Sequence, residues 1–91
     1  MDRNTAEQLE RAPKLRIWVF ATGAIEVDGK PVELDDVRKA LEELAVQSGA
    51  VLYGRESPSA EPHPNAMQII KWVVENQLPI RLCKERDFSD A

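Results

Sequence analysis

The chain has 91 residues, 43% of them hydrophobic and 31% charged, with a net charge of −4. That length holds one domain, with roughly 60 to 65% of the unfolded surface buried and little depth for an active site. The acidic balance disfavours binding to nucleic acid or anionic lipid, and a single cysteine with a single histidine excludes an internal disulfide and a four-ligand structural zinc site.

Residues 1–14 form a polar N-terminal segment in which Thr5 and Gln8 make a weak capping box, so a short helix over Thr5 to Arg11 is one reading. Pro13 stops it. The segment lacks the apolar run of a signal peptide, and no stretch has the roughly 20 apolar residues of a membrane span. As written, the chain is expected to be cytoplasmic and not to insert into a membrane.

Leu15 to Ala21, LRIWVFA, is rich in β-branched and aromatic residues and reads as the first strand. Strand side chains alternate, so Leu15, Ile17 and Val19 share one face and Arg16, Trp18 and Phe20 the other. Gly23 turns the chain into a second strand, Ile25 to Val27. Asp28-Gly29 is a tight turn, after which Lys30-Pro31-Val32 runs extended, on one reading as the other arm of a small second hairpin, with Pro31 arguing for an edge. Leu34 or Asp35 opens a helix with Asp35 and Asp36 at its positive end. Its apolar stripe is Val37, Ala40, Leu41, Leu44 and Ala45, and Gly49 is expected to take the left-handed cap.

Ala50 to Tyr53 is an apolar run between glycines and is expected to be a central strand. The stretch from Gly54 to Pro64 is proline-rich and reads as the longest loop. From Pro64 or Asn65 a second helix follows, with Ala66, Met67, Ile69, Ile70, Trp72, Val73 and Val74 covering much of its circumference. Asn76 is its expected left-handed cap, Ile80 to Lys84 the last strand, and 86–91 a charged, fraying tail. The fold expected over 15–85 is α+β, a two-layer α/β sandwich of order ββαβαβ. Its four-stranded mixed sheet has order 2-1-3-4 and both helices on one face.

No residue grouping carries recognisable chemistry. His63, between Pro62 and Pro64, reads as a solvated loop histidine, and Glu56 and Glu61 are a poor partner set for hydrolysis or metal binding. Cys83 reads as a half-buried strand residue, and Gly23, Asp28 and Gly29 as turn residues. No catalytic, cofactor-binding or metal-ligating residue is assigned. The uncovered sheet face, with Trp18 and Phe20 near Arg81 and Cys83, is the expected interaction surface.

The succession LRIWVFATGAIEVDGKPVELDDVRKALEEL, AVLYGRES and IIKWVVENQLPIRLCKE, from Leu15 to Glu85, resembles the soluble periplasmic domain of the ExbD and TolR biopolymer-transport family. The shared pattern is a strand, a glycine, a short strand, an xDGxPV-like turn, an acidic helix start, a strand, and a helix leading to a final strand. The resemblance implies a homodimeric accessory subunit acting through protein contacts, and a periplasmic location if the chain is part of such a protein. The family's membrane helix and its proton-linked aspartate have no counterpart here. Gly54 and Arg55 stand where the family has an acidic residue. The expectation is therefore a non-enzymatic interaction module that self-associates or binds a protein partner. The alternatives are a small ligand-binding domain or hydrolase using the His63 loop, or a structural segment of a larger protein.

Overall fold

The computed structural model describes residues 12–57, 61–86 and 88; the helix expected over Thr5 to Arg11 lies outside them. In chain order the elements are β1 (Lys14–Val19), β2 (Ile25–Val27), β3 (Lys30–Val32), α1 (Leu34–Val46), β4 (Ala50–Arg55), α2 (Pro64–Glu75) and β5 (Ile80–Cys83). The strands form one mixed sheet in the order β3-β2-β1-β4-β5. β1–β2 and β2–β3 are antiparallel hairpin pairs, and β1–β4 and β4–β5 are parallel.

The expected order of four strands is present, and the correction is a fifth strand. Asp28 (φ 51°) and Gly29 (φ 83°) both lie at positive φ in a two-residue turn whose twist suits a hairpin, so Lys30-Pro31-Val32 folds back to pair with β2. Pro31 sits there on the sheet's outer edge, where a missing amide donor costs nothing.

The core follows from alternation. Ile17 and Val19 of β1, Ile25 of β2, and Val51 and Tyr53 of β4 form one cluster with Val37, Leu41 and Leu44 of α1 and Ala66, Ile69 and Val73 of α2. These helix positions recur at spacings of three and four, so each helix lays one stripe on the same sheet face. β4 runs two residues further than expected, to Arg55, and is buried through Gly54.

Both helix ends correct the expected caps by one residue. α1 ends with Ser48, not Gly49, in the left-handed region (φ 55°); Ser48 N donates to Ala45 O and Gly49 N to Leu44 O. α2 repeats this with Gln77 (φ 55°) in place of Asn76, Gln77 N donating to Val74 O and Leu78 N to Val73 O. Each is a Schellman motif, which satisfies two of the last helix carbonyls. Asn76 instead caps through its side chain, Nδ2 donating to Trp72 O at 2.8 Å. Glycine is required at 49 for space, since a Cβ there would meet the Leu44 side chain and the Pro13 carbonyl.

Of the charged tail, only Arg86 and Phe88 are among the described residues. Arg86 and Phe88 lie back on the sheet face away from the helices, where Arg86 forks onto Glu26 (Nε to Oε1 3.1 Å, Nη2 to Oε2 2.7 Å) and stands 4.8 Å over the Phe20 ring. No helix among the described residues is long and apolar enough to cross a membrane.

Candidate functional site

Register places Trp18 of β1, Gly54 of β4 and Cys83 of β5 in one row across the sheet, and Arg16, Leu52 and Arg81 in the next. Trp18, Cys83 and Arg81 are thus brought to one face, as expected, with Phe20 just past the end of β1. They do not form an exposed apolar patch. Trp18 and Cys83 are each only 6% exposed, and Phe20 is partly buried beneath Arg86. The reason is Gly54: with no side chain between Trp18 and Cys83, the indole lies over the β4 backbone, where a Cβ would fall 2.5 Å from Trp18 Cζ3. Phe88 then packs on the indole edge-to-face, ring centroids 6.3 Å apart.

His63 is not a solvated loop residue. It is the N-cap of α2, its Nδ1 accepting from Asn65 N at 3.0 Å, so one orphan amide of the helix start is satisfied by the imidazole. The ring lies against Gly23, which at φ 92° needs glycine for backbone and for space, and Asn65 Nδ2 donates to Gly23 O at 3.0 Å. The α2 start is thereby pinned to the β1–β2 connection. Glu56 is spent elsewhere, Oε1 accepting from Ala21 N at 2.9 Å. A hollow of about 130 Å³ adjoins His63 and Glu61. No group of three or more His, Cys, Asp or Glu placed to hold a metal ion occurs among the described residues.

Apart from Val46 at the end of α1, the large exposed apolar side chains among the described residues lie on the helix side, along the outer edge of β5. Leu82 is 73% exposed, Val74 69%, Met67 60% and Ile80 39%. They line a groove of about 770 Å³ between α2 and β5, floored by Tyr53, Ile70 and Val73. Burial pushes the Tyr53 hydroxyl above its ordinary pKa. Among the described residues β5 is the last strand of the sheet, so one side of its backbone has no described strand beside it. Pro79 O accepts from Val51 N, and in a parallel ladder alternate residues bond to the neighbour; the backbone groups of Ile80 and Leu82 therefore face outward.

The sequence held a signal for this groove. α2 is apolar over more of its circumference than one sheet face covers, and Met67 and Val74 are the excess. Leu82 belongs to the same side-chain row as Tyr53 but sits beyond the cover of α2, which only the packing reveals. No protein-family model matches the chain, and no curated protein matches it in sequence.

Proposed function

We propose that this chain is a non-enzymatic interaction module that self-associates through the β5 edge, with the α2–β5 groove closing against the same groove of a second copy. The observation that carries this reading is the coincidence of the outward-facing backbone of Ile80 and Leu82, on the last strand among the described residues, with four exposed apolar side chains, Met67, Val74, Ile80 and Leu82. An exposed apolar edge is a template for another strand unless it is charged, bulged or covered. A twofold axis at Leu82 sets Leu82 opposite its own copy and Arg81 opposite Cys83 of the second copy, and the two sheets become continuous. An axis at Arg81 would oppose two like charges and is disfavoured. The same axis turns Met67 and Val74 of the two α2 helices toward each other, the self-complementarity that an isologous contact requires.

Association costs about 4 to 15 kcal/mol in lost freedom, and with four exposed apolar side chains on each copy to offset it the contact is of the weak, concentration-dependent kind. The ExbD and TolR resemblance, with its homodimeric accessory subunits, points the same way. The surface would serve equally in a cytoplasmic module or in a periplasmic piece of a longer protein.

Sedimentation equilibrium from 1 to 200 μM tests the reading. Wild type should move from monomer to dimer across that range, and Leu82→Glu, which alters a side chain already in solvent, should stay monomeric with an unchanged circular dichroism spectrum. A wild type monomeric at 200 μM, or a Leu82→Glu variant that dimerises as before, would overturn it.

A further inference from the structure

The sheet face away from the helices holds a seat for a guanidinium, and the chain's own tail fills it. Glu26 of β2 stands beside Trp18 of β1, in the row that continues through Gly54 to Cys83 of β5. The chain leaves β5 at Cys83 and turns back over this face, so that Arg86 reaches a carboxylate three strand spacings away, about 14 Å. Phe88 N donates to Glu85 O at 3.0 Å, and this turn sets Arg86 on Glu26 and Phe20 while Phe88 meets the Trp18 ring.

The seat suits arginine. The Glu26 side chain is only 16% exposed, and its two oxygens accept from two nitrogens of one guanidinium, a fork that lysine cannot supply. The Phe20 ring lies against the same cation, and the hydrogen bond to Glu26, with the charges of Glu26 and Glu56, holds the guanidinium above its ordinary pKa. The tail itself fits the face poorly. Arg86 is 58% exposed, so its ion pair is of the weak, water-screened kind. Phe88 is partly exposed and sits at φ 60°, a left-handed conformation unfavourable for a bulky side chain. A hollow of about 310 Å³ remains between the tail and the strands, lined by Arg16, Trp18, Glu26, Gly29, Arg86 and Phe88.

We infer that this face is a recognition surface for a protein segment carrying an arginine and, two residues later, an aromatic side chain, with Arg86 and Phe88 as its intramolecular competitors. In an extended segment the side chains at i and i+2 point the same way. Such a partner sets its arginine on Glu26 and Phe20 and its ring on Trp18 with no residue in the left-handed region, so it displaces a tail that holds the same contacts under strain. The surface lies on the side of the sheet opposite α1 and α2 and does not depend on contact between β5 edges.

The test is a titration of the ¹⁵N-labelled full chain carrying Arg86→Ser and Phe88→Ser with the capped hexapeptide KERDFS, which copies residues 84–89, to 2 mM. The amides of Trp18 and Glu26 should shift and saturate. Wild type should need at least tenfold more peptide, because its own tail competes at a high effective concentration. The peptides KEKDFS and KERDAS, which remove the fork or the ring, should each bind at least fivefold more weakly, and Glu26→Gln in the opened chain should weaken binding about tenfold. Should the double variant fail to fold, Arg86→Ser alone, a change to an exposed side chain, carries the same comparison. No saturable shift in the opened chain, equal affinity for wild type, equal affinity for KEKDFS, or shifts confined to α2 and β5 would overturn the assignment.

Discussion

Gly23→Ala in combination with His63→Ala tests whether the α2 start is held by the imidazole lying on Gly23. An alanine at φ 92° is strained by about 1 kcal/mol or more. Its Cβ would also fall 2.6 Å from His63 Nε2 and 2.8 Å from Nδ1, so the ring must leave. With it goes the cap from Nδ1 to Asn65 N, worth about 1 kcal/mol by comparison with other N-caps. Gly23→Ala should therefore cost about 2 to 4 kcal/mol and lower Tm by about 10 to 25 °C for a domain of this size. His63→Ala should cost about 1 kcal/mol. Because Gly23→Ala already forfeits the cap, the double variant should be about 1 kcal/mol more stable than the sum of the two losses. Urea unfolding followed by circular dichroism measures all four proteins. Strict additivity, or a Gly23→Ala cost below 1 kcal/mol, would refute the coupling.

Two further outcomes follow from the core and from the first turn of α1. Leu41, fully buried between α1 and the sheet, should cost about 2 to 5 kcal/mol when replaced by alanine, whereas Leu82→Ala on the open edge should stay within about 0.5 kcal/mol in the monomer, both read from urea midpoints. The hydrogen bond from Arg38, with Lys39 beside it, holds the Asp35 carboxyl below its ordinary value of 3.8. A depressed folded-state pKa contributes stability that is present above the unfolded value and lost as pH falls through the folded one. The stability gap between wild type and Asp35→Asn should accordingly be constant from pH 5 to 8 and shrink below about pH 4; a gap that widens on acidification would reverse the assignment.

Apart from β3, the order of elements was legible in the sequence, as were the edge position of Pro31, the turn at Asp28-Gly29 and the buried stripe of α1, because each is encoded by neighbours within a few residues. Alternation also assigned Trp18 and Cys83 to the sheet face away from the helices, which the register bears out. What local pattern could not supply was the partner of each residue. Trp18 is buried because Gly54, on the neighbouring strand, leaves room for the indole and Phe88 leans on it. His63 is a cap because Gly23, on a distant turn, leaves space for its ring. Arg86 is drawn out of the tail by Glu26, 60 residues away in sequence. Leu82 is exposed because α2 ends its cover one strand row too soon, while Tyr53 beside it is buried. Periodicity fixes which face a side chain occupies; whether that face meets protein or water depends on contacts across long sequence separations, and those form only when the sheet closes.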